Sequence, residues 1–204
     1  MHRRSPRRSE ASSVPRTIVA AAVIVVSIAG CFLRQSPPRM RYYTLTPPGR
    51  PVTTLPGPVH VAVFTADEPY TSARLAYRSS PYRLSYYGYH RWAAGPRSLV
   101  ANAVRDYLRQ AVTEETPPPF EVTGHILRLE EVDESTGWYG VLAIDLRIRR
   151  GGRVLVDGTY AESEAATAHN PEAVVAALSR ALGRILDRAL SELQPAAAPA
   201  PTSR

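Results

Sequence analysis

The stretch Tyr82–Trp92, which reads Tyr-Arg-Leu-Ser-Tyr-Tyr-Gly-Tyr-His-Arg-Trp, predicts the strand around which the chain is organised. Its side chains alternate between two unlike sets, which is the period-two pattern of a strand with two faces. One set is Tyr82, Leu84, Tyr86, Gly88, His90 and Trp92, and the other is Arg83, Ser85, Tyr87, Tyr89 and Arg91. Aromatic residues favour such a pleated, half-buried surface.

Two interpretations of this strand are open. In the first, one face packs into the core and the other is a tyrosine-edged surface, with His90 packed beside Trp92. In the second, Tyr87 and Tyr89 form a docking surface for a partner, because a tyrosine ring is apolar while its hydroxyl group tolerates water.

Two helices are predicted on the C-terminal side of this strand. Gly95-Pro96 ends the strand, and apolar residues then recur at helical spacing over residues 97–112. Asn170 is expected to cap a second amphipathic helix that has Pro171 at its first position.

A β-meander is predicted between the helices, over residues 120–160. Gly151-Gly152 suits a two-residue hairpin turn, and the alternation shifts near Gly124, which predicts a bulge there. The order of elements predicts an α+β fold, in which a mostly antiparallel sheet carries two amphipathic helices packed on one face.

The charge distribution argues against a nucleic-acid partner. The chain has 204 residues and a formal net charge of +7, and all 25 basic residues are arginine. Residues 1–30 hold five arginines and one glutamate, so the remainder carries only +3. No arginine-rich face accompanies the aromatic residues, as nucleic-acid binding would require.

The N-terminus has the layout of a secretory signal peptide, with arginines followed by a short apolar run at Ile18–Ala29. Twelve helical residues span about 18 Å, less than the ~30 Å hydrocarbon core of a bilayer. Ile28-Ala29-Gly30-Cys31 resembles the lipobox of bacterial lipoproteins, which implies diacylglycerol on the Cys31 sulfur and cleavage before it. An uncleaved anchor is the alternative. Phe32 stands where an Asp would resemble the inner-membrane retention signal, so the resemblance implies the outer membrane.

The domain boundaries follow from these features. We expect a lipoprotein signal peptide over 1–30, a lipidated tether over 31–41, a folded domain over 42–193 and a flexible Ala/Pro-rich tail over 194–204.

The sequence offers no set of residues that would catalyse a reaction, so we predict no enzyme, cofactor or metal. None of the five histidines lies in a hydrolase, zinc-protease or phosphate-loop motif. An acidic group is interpreted as a solvated hairpin end: Glu130, Glu131, Asp133 and Glu134. An arginine group either meets anionic headgroups or, as we favour, keeps a sheet edge soluble: Arg147, Arg149, Arg150 and Arg153.

Three features together resemble the ABC-type transport auxiliary lipoproteins over residues 40–193. They are Tyr42-Tyr43-Thr44-Leu45 soon after the lipobox, the valine-rich strand 59–63, and Tyr82–Trp92 leading into a helix. These proteins resemble the lipoprotein of the paraquat-inducible operon, which works with MCE-type intermembrane lipid transport systems. The resemblance implies a non-enzymatic lipoprotein on the periplasmic side of the outer membrane.

The same resemblance implies the partners, which are an MCE-type protein and the ABC permease and ATPase of one system. Some members form a ring-like oligomer, so a homo-oligomer is an open expectation. The alternatives are a periplasmic lipid-binding carrier and an outer-membrane structural lipoprotein.

Overall fold

A computed structural model of the protein describes residues 38–114 and 117–193. The described residues from Met40 onward, 40–114 and 117–193, belong to one compact unit, and every core residue lies within it. The predicted signal peptide, Cys31, all but the end of the tether and the tail 194–204 lie outside the described residues.

The described residues form eight strands, two α-helices and one short 3-10 helix. The strands are β1 (Arg41–Tyr43), β2 (Val59–Val61), β3 (Thr65–Ala66), β4 (Arg74–Ser80), β5 (Arg83–Trp92), β6 (Phe120–Glu134), β7 (Gly137–Arg150) and β8 (Arg153–Ala165). The helices are α1 (Pro96–Arg109) and α2 (Pro171–Ser191), and the 3-10 helix is Glu68–Tyr70.

All eight strands belong to one sheet, with the order β1-β5-β4-β6-β7-β8, while β2 and β3 also pair with β6. The α+β class is therefore confirmed, and the sheet is mixed: its long strand pairs are antiparallel and its short ones are parallel. The three hairpin pairs β4–β5, β6–β7 and β7–β8 are antiparallel. The pairs β1–β5, β2–β6, β3–β6 and β4–β6 are parallel.

Parallel pairing arises because the chain leaves the sheet and returns to it. Between β4 and β6 the chain runs through β5 and α1, and a connection of this length lets a strand re-enter in the original direction. The sequence shows where strands occur but not which non-neighbouring strands meet, so the parallel pairs were not predicted.

Both helices bury their apolar stripes in the same core cluster as the sheet. They also contact each other, since the Tyr107 hydroxyl of α1 donates to Asp187 Oδ1 of α2 at 3.0 Å. The predicted cap of α2 is confirmed, because Asn170 Oδ1 accepts a hydrogen bond from Ala173 N at 2.9 Å.

Helix α2 approaches the sheet most tightly at Gly140 of β7. A Cβ built on Gly140 would lie 2.8 Å from Leu178 N and 3.0 Å from Val174 O, which are backbone atoms of α2. Only a residue without a side chain allows the helix to pack this close to the backbone of β7.

We therefore expect Gly140→Ala to lower the free energy of unfolding by about 1–3 kcal/mol, because α2 must move away from the sheet. The measurement is the urea midpoint at constant m-value. Gly88→Ala is the matched control, since a Cβ there meets nothing within 4 Å. Because alanine restricts the unfolded chain, Gly88→Ala should leave stability unchanged or slightly raised, and an equal loss in both variants would show that the helix contact does not set the cost.

Candidate functional site

The β4–β5 pair contains a large bulge that changes the faces predicted for β5. Ala76 pairs with Tyr86 and Arg74 pairs with Arg91, so the four residues Tyr87–His90 lie opposite a single residue of β4. The strict alternation is lost there. Tyr87 and His90, which the pattern assigned to opposite faces, lie in edge-to-face contact with their ring centroids 5.2 Å apart.

Tyr87 is half-buried and its hydroxyl group is already bonded. It lies 2.9 Å from Glu131 Oε2 and 3.0 Å from Oε1. Its ring also packs on Tyr77 of β4, with 4.8 Å between centroids. Tyr89, the second predicted docking tyrosine, is 48% exposed. The bulge therefore places the Tyr87 side chain inside the protein and the Tyr89 side chain on its surface.

His90 connects this strand to β1. Its Nδ1 lies 2.8 Å from the Tyr43 hydroxyl group, and the two rings stack with centroids 5.7 Å apart. Burial lowers the pKa of His90, and the nearby charge of Arg41 lowers it further. A line of contacts thus runs from Tyr43 through His90 and Tyr87 to Glu131.

Glu131 is a buried carboxyl group, 3% exposed, and among the described residues it accepts a hydrogen bond from Tyr87 alone. Burial raises the pKa of Glu131 to about 7; Asp133 adds to this rise and the Tyr87 hydrogen bond opposes it. One hydroxyl group donates one proton, so it satisfies only part of the hydrogen-bonding capacity of a carboxylate.

The preceding residue, Glu130, is also buried, at 1% exposed, but has three donors. Its oxygens accept hydrogen bonds from Arg78 at 3.1 Å, from the Tyr70 hydroxyl group at 2.9 Å and from Arg128. Burial opposes ionisation of Glu130, but these hydrogen bonds outweigh it and hold the pKa below its ordinary value. Adjacent strand residues point to opposite faces, which explains their different surroundings.

The interpretation of the acidic group as a solvated hairpin end is therefore wrong for its first two members. Glu130 and Glu131 are buried, whereas Asp133 and Glu134 are exposed. The sequence did offer a signal of this burial. Glu130 and Glu131 follow Leu129 inside a long strand, rather than lying at the end of that strand.

The arginine group at the β7–β8 turn is largely occupied within the protein. Arg147 pairs with Asp157 at 2.9 Å, and Arg149 donates to Gly152 O at 3.2 Å. Arg150 donates to the carbonyl groups of two proline residues and lies over the Phe120 ring at 4.6 Å. This pattern favours a structural role over headgroup binding.

Two surface grooves accompany these clusters. One, of about 480 Å³, lies between Tyr42–Thr46 and Val175 of α2. The other, of about 650 Å³, is on the sheet beside His125. His125 lies between Thr65 Oγ1 at 2.7 Å and Asp67 Oδ1 at 2.8 Å, and it links β3 and the following loop to β6. Within 38–114 and 117–193, no group of three metal-ligating side chains occurs.

The raised pKa of Glu131 makes stability depend on pH. The folded protein binds more protons than the unfolded chain between the ordinary value of 4.5 and about 7. Stability is therefore lost as the pH rises through that window. We expect Glu131→Gln to remove this loss, so that between pH 5 and 8 the wild type loses about 3 kcal/mol more than the variant.

Urea midpoints at several pH values measure this difference. Glu121→Gln is the control, because Glu121 is exposed on the same strand. Parallel stability curves for the wild type and Glu131→Gln would contradict the prediction.

Among the described residues, no helix has the length and apolar character needed to span a bilayer. No curated protein matches the chain.

Two crystal structures share the fold. One, a Xanthomonas campestris protein of the DUF330 family, has 17% sequence identity and a TM-score of 0.62, over 76% of this chain and 98% of that one. The other, described as an uncharacterized protein, has 10% identity and a TM-score of 0.58, over 77% and 100%.

The family comparison covers most of the folded unit. The model of the ABC-type transport auxiliary lipoprotein component matches residues 43–189, which include every described helix and strand except the first two residues of β1 and the last two residues of α2. The chain belongs to the family of ABC-type transport auxiliary lipoprotein components.

Proposed function

We propose that this protein is a non-enzymatic accessory component of an MCE-type intermembrane lipid transport system. In this proposal the acylated Cys31 anchors the chain to the periplasmic face of the outer membrane. The folded unit docks the MCE-type protein, which works with an ABC permease and ATPase. Membership of the transport auxiliary family is the observation that supports this proposal most directly.

The arrangement of β5 supports the docking part of the proposal. The Tyr87 hydroxyl group donates a hydrogen bond to Glu131, and the Tyr87 ring packs against the ring of Tyr77. These two contacts fix the position of the Tyr87 ring. Tyr89 extends from the same bulge into solvent. A rigid strand that presents an exposed tyrosine loses little conformational entropy on binding, which is the property of an interface anchor.

The length of the proposed tether supports the anchoring part. Eleven residues separate Cys31 from Tyr42, and a fully extended chain of that length reaches about 35–40 Å. Acyl chains contribute about 0.8 kcal/mol for each buried CH₂ group, so a multiply acylated cysteine holds a protein firmly. The folded unit would then stay within one domain diameter of the bilayer.

The anchor is tested by Cys31→Ser in cells. We expect the wild type to sediment with membranes and the variant to leave the membrane fraction or to accumulate with its leader uncleaved. Gln35→Ser, a change in the same tether, is the control. Intact-mass measurement of the native product gives the direct readout: a full-length chain with a free thiol would refute the acylation.

The docking surface is tested by Tyr89→Ser in a binding assay with the MCE-type protein of the same operon. Loss of an anchoring tyrosine is expected to weaken binding about tenfold or more, because such residues contribute most of the energy of an interface. Val154→Ser is the matched control, since Val154 is 46% exposed on β8. Equal affinities for the wild type and Tyr89→Ser would exclude Tyr89 from the interface.

A further inference from the structure

The two edges of the sheet differ in how their backbone groups are covered. The β8 edge is covered by arginine side chains from α2. Ala166 N donates to Trp138 O, so by alternation the carbonyl groups of Ala165 and Ala161 point away from β7. Arg180 donates to Ala165 O at 2.7 Å and Arg188 donates to Ala161 O at 3.3 Å. Such covering keeps an edge strand from pairing with another chain.

The opposite edge is mostly open. Strand β1 pairs only with His90–Trp92, the last three residues of β5. Among the described residues, no strand pairs with the outer side of Arg83–Tyr89. Arg74 of β4 does bond the carbonyl groups of Tyr86 and Tyr87, at 3.2 Å each, but no side chain of α1 or α2 reaches this stretch in the manner seen on β8.

The side chains along the open edge indicate what kind of strand would fit. Tyr82 is 98% exposed at its start and Tyr89 is 48% exposed at its end. Arg83 is exposed at the start of β5 and Arg41 is exposed on β1, and neither strand carries a carboxylate. An incoming strand with acidic side chains would meet complementary charge, and the two tyrosines would cover its apolar residues.

We propose that Arg83–Tyr89 binds an extended acidic segment of the MCE-type partner, which adds to the sheet as a strand in line with β1. This inference deepens the proposed function and rests on it, because it specifies how the partner docks. The regular part of this stretch, Arg83–Tyr86, spans about 13 Å before the bulge begins at Tyr87, so the added ladder is short, like that of β1. Backbone pairing supplies affinity in this mode, and the flanking side chains supply selectivity.

Hydrogen exchange on the folded chain, with and without the MCE-type protein, tests the proposal. In the complex, the amides of Leu84–Tyr89 that point away from β4 are expected to become protected, while the amides of β8 are unchanged. A complex that protects α2, β8 or the groove beside Tyr43 instead would overturn strand addition and leave the proposed function standing. Absence of any complex would overturn both.

Charge variants provide the second measurement. Arg83→Glu is expected to weaken binding of the MCE-type protein about fivefold, as expected for one exposed charge pair. Arg83→Lys keeps the positive charge, so its affinity for the MCE-type protein should equal that of the wild type. Arg153→Glu, at the exposed start of β8, changes the net charge by the same amount and should leave the affinity unchanged. Equal losses in Arg83→Glu and Arg153→Glu would overturn the proposed site.

A second copy of this chain is the other strand that such an edge could bind. If Leu84–Tyr89 becomes protected in the free protein as its own concentration rises, and the MCE-type protein adds no protection, then the occupant is another copy and the proposal is wrong.

Discussion

The need to pair both edges of one long strand constrains the whole fold. Strand β6 lies in the middle of the sheet, where its backbone groups cannot reach water, and buried N–H and C=O groups must be bonded. Strand β7 satisfies one edge over the full length of the strand. The other edge is covered in succession by β2, β3 and β4, all running parallel to β6. The short, irregular strands in the first half of the chain are explained by this requirement.

The same strand carries the two buried carboxyl groups that fix β4 and β5. Glu130 accepts hydrogen bonds from Arg78 of β4 and from Tyr70 of the 3-10 helix. It thus joins β4, the 3-10 helix and β6 on one face of the sheet. Glu131 bonds Tyr87 of β5 on the other face. Leaving a buried charge without its partners typically costs about 3–5 kcal/mol, so the contacts of Glu130 strongly favour the observed register over alternatives. The exposed Tyr89 gains its position from this internal arrangement.

The sequence predicts what depends on local chemistry. The cap at Asn170, the turn at Gly151-Gly152 and the amphipathic helices follow from side chains close together in the chain, and the structure confirms them. Strand partners depend on distant residues, which is why the parallel pairs were missed. Gly124 illustrates the difference: a Cβ there would lie 2.4 Å from a carbon of the Phe64 ring, so this glycine accommodates a ring from another segment. The register shift of β6 occurs between Ile126 and Arg128 instead.

The site was only partly readable for the same reason. Alternation assigned Tyr87 and Tyr89 to one surface, but the size of the bulge depends on how β4 and β5 align, and Gly88 is the one local signal of it. The burial of Glu130 and Glu131 likewise requires donors from Arg78 and Tyr87, which lie about fifty residues away.

The contact between Tyr43 and His90 has a mechanical consequence. Strand β1 is the first element of the described residues, and it is held by three residue pairs to β5 together with this hydrogen bond. A force applied at the N-terminus would therefore act on the pairing between β1 and β5 before it reaches the helices or the central strands. A force applied through the N-terminal segment would reach β5 first, and rupture would begin with loss of the three-residue strand β1 while the core stays intact.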